Sequence, residues 1–424
     1  MDERVGIIRE VKEAPNEAGS PAFFSFFASA CDPGVIGGYA TSGKPDGGGA
    51  STDRDLAMAK AIGEAVERYC AAMHDTQTFP SASFDSAPFP CVPPGEFALY
   101  SREQYAQAGF PYIPFAHNTQ VRWAPAYDLT SGQACHVPAS IVVLSCRYVN
   151  GEQPIAQSVS TGLACHVHPN HAAVSAICEV IERDAFTITW QARMARPQIA
   201  VQTLSDRNQD LVRRFERTGA VVTLLHLAMD HGVPTILAVL RHQAEDAPPL
   251  VFAAATALDP EQALRKSLEE LSHTRVFAQW ARNHLPRIVP GPCYENVVTL
   301  HDHGNLYCDP LNRPLTDFLF APREIDFHEI ANLSTGDPDR DLQVLHERIR
   351  AVGHRLLLAD VTSDDVRGLG LSVIRAVIPG FHPLFFGHRL RALGGTRLWK
   401  IPQQLGFKGL TPDGGDNPAP HPFP

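Results

Sequence analysis

The chain has 424 residues, 44% hydrophobic and 19% charged, enough apolar surface for a sizeable core in one large domain or two to three ordinary ones. A formal net charge of −10 argues against a nucleic-acid partner, and nine scattered cysteines without C-x-x-C spacing exclude a zinc ribbon or thioredoxin motif and fit the reduced thiols of a cytoplasmic protein. The opening MDERVGIIRE has no signal-peptide core, and no apolar run approaches the ~18 residues of a membrane span.

In chain order, PAFFSFFASA (21–30) reads as a buried strand or short helix with Phe23, Phe24, Phe26 and Phe27 in the core, and TSGKPDGGGAST (41–52) as a glycine-rich loop. A helix is expected from about Asp53 to Met73, capped by Thr52 with Asp55 completing a capping box. Residues 79–120, rich in Pro and Phe, read as irregular, and VPASIVVLSCRYV (137–149) as a strand. TGLACHVHPN (161–170) leads into a second helix from about His171 to Ala192, with Asn170 as N-cap. Two strands flank an Asp230-His231-Gly232 turn, LVFAAATA (250–257) is another strand, and Asp259-Pro260 opens a third helix to about Trp280. HRLLLADVT (354–362) and LSVIRAVI (371–378) are the last strand candidates, and NPAPHPFP (417–424) alternates proline. Strands mixed with long helices give an α+β class, with no clear domain linker.

The three helices share a pattern. On a helical wheel, Leu56, Ala59, Ile62, Val66 and Tyr69 line one face of the first, opposite Lys60, Glu64 and Glu67. In the second, Ala173, Ile177, Val180, Ile181 and Ile188 oppose Ser175, Glu179 and Glu182; in the third, Leu264, Leu268 and Leu271 oppose Lys266, Glu270 and His273. A solvated polar face is the ordinary reading of any one such helix. The repeat changes it, because AIGEAVER (61–68) and AICEVIER (176–183) carry E-x-x-E-R behind the same small-apolar run. Two carboxylates three residues apart point the same way, and at ~6 Å they repel by roughly 0.7 kcal/mol in water but about 3 kcal/mol at an effective dielectric of about 20. Two such helices packed together need cations, and an all-oxygen site suits Mg²⁺ carrying triphosphate oxygens.

These stretches, with IPFAHNTQVRWAPAYDLTSGQACHVPA, DPEQALRKSLEELSHTR and DVTSDDVRGLGLSVIRAVIPGFHPLFFGHRLRALGG, resemble the YcaO family, and within it the D-type cyclodehydratases that form azolines in ribosomally made peptides, including streptolysin-S-like ones. The likeness spans about residue 35 to the end. It divides the chain into an N-terminal segment (1–34), a YcaO ATP-binding domain (35–408) and a proline-rich tail (409–424). It implies a YcaO-type fold, mixed sheets packed with long helices that carry the ATP and Mg²⁺ site without a P-loop. Its metal-binding glutamates correspond to Glu64, Glu67, Glu179, Glu182 and Glu270, and its nucleotide-proximal positions to Lys60, Arg68, Ser175, Arg183, Lys266, Glu270 and His273. His273 stands where the family commonly has Gln, and Lys44 lies in a phosphate-loop-like SGK offset from the family's place.

The resemblance also makes the tail an organiser of the active site, with His421, Pro422 and Pro424 placed there as catalytic. Read as polyproline II, it is an exposed segment whose loss should barely change thermal stability. The implied partners are a precursor peptide, a separate E1-like or C-type leader-binding protein, a flavin dehydrogenase and a second copy in a homodimer, with no nucleic acid and no membrane. Other functions consistent with the residues are a thioamide- or amidine-forming YcaO reaction, or a docking scaffold. Cys165, His166, His168 and His171 fit no zinc spacing, and Asp230-His231 and His301-x-His303 read as solvated turn residues.

Overall fold

Strands β1 (Ile8–Glu13), β2 (Phe24–Ala30) and β3 (Asp46–Ser51) form an antiparallel sheet in that order. The computed structural model describes residues 1–2, 6–15, 19–34, 46–144, 146, 148, 151–411 and 414–423. A second sheet begins with β4 (Ser81–Ala82), β5 (Val121–Asp128), β6 (Gln133–Pro138) and β7 (Leu163–His166). A third runs β11-β10-β9-β8-β12 from β8 (Arg196–Ile199), β9 (Val221–His226), β10 (Thr235–Arg241), β11 (Leu250–Thr256) and β12 (Phe320–Ile325), with β12 parallel to β8. The chain then returns to the second sheet, where β13 (Leu357–Asp360) and β14 (Ser372–Val377) insert between β5 and β7.

Three long helices hold these sheets together: α1 (Arg54–Ala72), α2 (Pro169–Gln191) and α3 (Pro260–His284). Each pair of helices shares a strand. β3 packs on α1 and α3, β7 on α1 and α2, and β11 on α2 and α3. Among the described residues no helix is long and apolar enough to cross a membrane.

The ends of α1 and α2 differ from the sequence reading by a residue or two. Asp53, not Thr52, caps α1, its carboxylate accepting from the Asp55 and Leu56 amides. α2 starts at Pro169, with His168 rather than Asn170 at the cap, since proline's fixed φ and missing N–H suit the first helical position. α3 begins behind Asp259 as expected and runs one turn past Trp280.

The stripes of α2 and α3 are buried as the wheel predicts. That of α1 is not. Leu56 is 42% exposed, and the buried line is Ala57, Ala61 and Ala65 with Val66 and Tyr69. The cause lies in the segment expected to be a glycine loop, whose Asp46–Ser51 part is strand β3. A Cβ on Gly49 would lie 2.5 Å from the Ala57 carbonyl oxygen, and one on Gly47 would clash with the α1 backbone at Ala61 and Ala65. Glycine on the strand and alanine on the helix bring the two backbones together, a contact that hydrophobicity does not register.

Other expectations change for similar local reasons. Phe23, just before β2, and Phe26 are buried, whereas Phe24 at the strand's start is exposed and alternation turns Phe27 outward from Phe26. The strand expected over 137–149 ends at Pro138, and Ala139–Val142 is one helical turn. Asp230 and His231 are not solvated. Arg397, itself buried, bonds Asp184 of α2 at 2.8 Å and Asp230 at 2.7 Å, and burial holds His231 near pKa 4, hence neutral. His303 is also fully buried.

Gly47→Ala and Gly49→Ala should each destabilise the protein by ~1–3 kcal/mol through overpacking of β3 on α1. A matched Gly95→Ala, where a Cβ meets nothing within 4 Å, should stay within about 0.5 kcal/mol. Equilibrium denaturation of the three variants measures the difference.

Candidate functional site

The glutamates of the two repeated motifs converge at the junction of the three helices, and each is held by a backbone amide. Glu64 accepts from the Gly48 N–H of β3 at 2.6 Å, and Glu67 from the Cys165 N–H of β7 at 2.8 Å. Glu179 accepts from the Gly162 N–H just before β7 at 3.1 Å, and Glu182 from the Thr256 N–H of β11 at 3.2 Å. The arginines of the motifs brace them. Arg68 pairs with Glu64 and also bonds the Asp46 carbonyl, and Arg183 pairs with Glu182 and, at 3.3 Å, with Glu179.

The electrostatics show an excess of buried negative charge. Burial, reinforced by Glu64 and Glu179, holds the Glu67 carboxyl well above the usual range. Burial raises Glu182 to about 7 and raises Glu179 too, against the opposing field of Arg183. Arg183 is raised although burial works against its charge, because Glu182, Glu179 and Glu270 outweigh that effect.

The remaining expected residues spread around this centre. Lys60 pairs with Glu269 at 2.5 Å and bonds the Ala50 carbonyl at 3.0 Å. Glu269 also accepts from Ser51 Oγ at 3.0 Å. Glu270 is exposed, but its field reaches Glu182 and Arg183. Lys266 is half-buried one turn earlier, and its field reaches Cys178. His273 packs against Phe27 at a tilt, ring centroids 4.8 Å apart, and covers Gly48, whose amide holds Glu64. Ser175 is exposed one turn before Glu179. Lys44 and Pro424 lie outside the described residues.

The tail departs from expectation. Rather than an exposed rod, residues 419–423 are buried, as is Asn417. Trp190 Nε1 donates to the Ala419 carbonyl at 2.9 Å, and Tyr307 OH to that of Pro420 at 2.5 Å. His421 Nε2 meets the Phe385 carbonyl at 2.8 Å, and burial holds this imidazole well below its ordinary pKa, neutral. The Phe423 ring packs on Phe186 at 4.4 Å and lies under the Arg183 guanidinium at 4.6 Å. Buried aromatic contacts and carbonyl acceptors replace solvation of a proline-rich chain, so this tail is part of the core and touches the site.

Sequence reasoning missed two charged residues here. Glu269, 2% exposed, sits beside the apolar stripe of α3, where an acid signals a buried ion pair. Arg375, 5% exposed, is the lone charge in the apolar strand LSVIRAVI; its Nε and Nη1 have no partner among the described residues, and its field lowers Glu179.

This donor set fits Mg²⁺ with a triphosphate. The ligands on offer are carboxylate oxygens, and their mutual repulsion calls for positive charge. Among the described residues no three acidic, imidazole or thiol groups form a closed metal cage. Mg²⁺ bound by one or two carboxylates and by phosphate oxygens does not need one.

Three helices presenting such a site across three sheets, two antiparallel and one mixed, give the fold of the heterocyclases. The structure matches a heterocyclase in complex with substrate and cofactor at TM-score 0.80 and 19% identity, over 99% of this chain and 55% of that one. It matches the heterocyclase TruD at 0.68 and 21%, over 86% and 50%. YcaO from Methanopyrus kandleri, bound with AMPPCP and Mg²⁺, matches at 0.63 and 19%, over 88% and 86%. The chain thus spans about half the length of the first two. Residues 48–382 match the model of the ATP- and Mg²⁺-binding YcaO cyclodehydratases, and the chain belongs to the YcaO family. An uncharacterized protein of Methanothermobacter thermautotrophicus is 28% identical over 88% of this chain and 90% of its own length. A second, from the tfuA 3′ region of Rhizobium leguminosarum bv. trifolii, is 32% identical over 28% of this chain and 29% of its own.

Carboxyls raised in the fold bind protons that the unfolded chain has already lost. The contribution of these carboxyls to the stability of the metal-free protein therefore falls as pH rises from the unfolded carboxyl value of about 4.3 through about 7, where Glu182 ionises, while buried histidines such as His231 and His303, held near pKa 4, contribute in the opposite sense. Carboxyls holding Mg²⁺ would need the ionised form, so Mg²⁺–ATP held by them should bind more strongly over the same interval. The rise in melting temperature on adding Mg²⁺–ATP should be larger at pH about 8 than at pH about 5.5, after allowance for the nucleotide's own ionisation. An equal rise at both would contradict the charge state assigned to these carboxyls.

Proposed function

We propose that this protein is an ATP-dependent cyclodehydratase that converts Cys, Ser or Thr residues of a ribosomally made precursor peptide to azolines. The observation that carries this reading is the set of four amide-anchored glutamates on α1 and α2, with the tail docked on Arg183 beside them.

In the reaction, the substrate thiol or hydroxyl bonds to the preceding carbonyl carbon and gives up its proton, and the carbonyl electron pair moves to oxygen. That oxygen takes the γ-phosphoryl group of ATP, releasing ADP. Phosphate then departs with the original amide oxygen as the C=N bond forms and the amide proton is lost. Balanced over the ring, the peptide loses the elements of water.

Glu64, Glu67, Glu179 and Glu182, with Glu270 at the rim, are the carboxylates that would hold Mg²⁺. When bound, Mg²⁺ supplies charge neutralisation for the transferred phosphoryl group. Arg68 and Arg183 orient these carboxylates, and Lys60, fixed by Glu269, is held at the nucleotide side with Lys266, Ser175 and His273. The docked tail excludes water behind Arg183. Proton removal falls to a group other than His421, whose ring nitrogens are committed to the Phe385 carbonyl and the Phe423 amide.

The peptide substrate and a separate leader-binding partner are part of this reading, as are a homodimer and a flavin dehydrogenase acting on the product. A thioamide- or amidine-forming reaction on the same nucleotide site is the second reading. The tail packed against the glutamate helix favours ring formation.

Glu67→Gln and Glu182→Gln should lower ring formation at least about 100-fold. Each amide keeps a carbonyl oxygen for its backbone N–H but removes charge from a crowded site, so the metal-free variants should melt no lower than wild type while losing their gain from Mg²⁺–ATP. The assay is loss of one water mass per ring from a candidate precursor supplied with ATP and a leader-binding protein. Unchanged Mg²⁺-dependent ATP use in both variants would refute the metal assignment.

Phe423→Ala removes a buried ring and should cost ~3–5 kcal/mol of stability. Phe423→Leu should recover most of the stability but, lacking the aromatic face under Arg183, not the turnover. Denaturation and ring formation measured together check this.

A further inference from the structure

Beside the glutamates lies a partly open cavity of about 110 Å³ whose walls include Val159, Val180, Phe381, Leu384 and Phe385, with Arg375 among them. Its position ties it to the chemistry from two directions. On one side, Val180 follows Glu179 in sequence, and Arg375 pairs across the sheet with Leu163, next to the Gly162 whose amide holds Glu179. On the other, Phe385 contacts the tail through its carbonyl bond to His421 and ring packing at 4.7 Å.

Arg375 is unusual in this setting. It is 5% exposed, and its Nε and Nη1 are buried without a partner among the described residues. A buried donor left unsatisfied costs ~1–3 kcal/mol, more when charged, so an arginine kept in an apolar wall points to a ligand oxygen. Gln157, also in the wall, is committed elsewhere, its amide bonded to the backbone N–H and carbonyl of Phe386. The cavity therefore combines an apolar chamber with an open pair of cationic donors. A dry cavity of about 150 Å³ admits benzene, so this one is of the size for an aliphatic side chain.

We infer that this cavity receives the side chain of the substrate residue whose carbonyl is attacked, an apolar residue immediately before the cyclised Cys, Ser or Thr, and that Arg375 donates to that carbonyl oxygen. This rests on the cyclodehydratase reading above. A backbone carbonyl one bond from the Cα of an apolar residue matches the pairing of apolar wall and guanidinium. A donor aimed at that oxygen is worth most as negative charge develops on it. The field of Arg375 reaches Glu179, so a carbonyl oxygen held by Arg375 would lie on the glutamate side of the cavity.

The test separates the cavity from the overall activity. Precursors differing only in the residue before the cyclised one, Leu or Gly, are compared with wild type, Ala156→Phe, which fills the wall, and Arg375→Lys and Arg375→Gln. Ala156→Phe should raise KM for the Leu precursor at least about tenfold and change the Gly precursor less than about threefold, with Mg²⁺–ATP binding unchanged. Arg375→Gln should lower kcat on both precursors at least about 100-fold without weakening Mg²⁺–ATP, with partial rescue in Arg375→Lys. Equal losses on the Leu and Gly precursors in Ala156→Phe would overturn the pocket. Weakened nucleotide binding with unchanged kcat at saturating ATP in Arg375→Gln would overturn its role at the carbonyl.

A direct readout needs no turnover. N-acetyl-leucinamide, followed by ligand-observed NMR, should bind wild type in preference to N-acetyl-glycinamide and be lost in Ala156→Phe. If rings form but the leucinamide does not bind, the pocket assignment fails and the function stands. If the leucinamide binds but no precursor is cyclised, the pocket stands as an apolar peptide site and the assigned reaction fails.

Discussion

Everything at this site depends on backbone amides that hold carboxylates against their own repulsion. Glu64, Glu67, Glu179 and Glu182 each accept from one N–H, and those N–H groups belong to β3, β7, the residue before β7, and β11. These are the strands shared between pairs of the long helices. A carboxylate fixed in this way cannot swing out to water to relieve the charge, so burial and neighbouring charges raise Glu67, Glu179 and Glu182 together. The same bonds act as fasteners. Loss of one would both free a carboxylate and loosen a helix from the strand it shares.

The site is buttressed from behind as well. Asp184, two residues after Glu182 on α2, is bonded by Arg397 and by the His382 amide. Arg397 reaches on to Asp230 and stacks over Phe381 at 4.2 Å. Such a buried ion network contributes little net stability but fixes geometry, because breaking it leaves a charge without a partner. It ties the helix of the second E-x-x-E-R, the turn between β9 and β10, and the wall of the apolar cavity into one rigid unit.

The long helices and the repeated glutamates were legible because each lies on a strong local pattern. The stripes of α2 and α3 follow helical periodicity, and E-x-x-E-R puts two acids on one face whatever surrounds them. What could not be read was set by tertiary contact. The close approach of β3 to α1 is written in glycine and alanine, which carry no hydrophobic signal, so a strand looked like a loop and the α1 stripe was placed off line. Glu269 was hidden by its neighbour Glu270, whose spacing completed the expected pattern, although Glu269 is the one paired with Lys60. Arg375 looked like an interruption in a strand, and its meaning depends on a cavity formed by residues from across the chain. The tail was recognised as belonging near the site, but alternating prolines suggested solvent, while residues 419–423, prolines included, are buried in the core.

That buried tail sets a timetable for the protein in the cell. Phe423 packs on Phe186, a residue made 237 positions earlier, and caps Arg183. At ribosomal rates of ~5–20 residues per second, the second glutamate helix waits on the order of ten to fifty seconds for the aromatic ring that completes its surroundings. Until then Trp190 Nε1 and Tyr307 OH lack the carbonyl acceptors they use in the finished fold. The nascent chain carries its carboxylates early but closes the site around them only once residues 417–423 have been made, so a product ending before them would leave that side of the centre open to water.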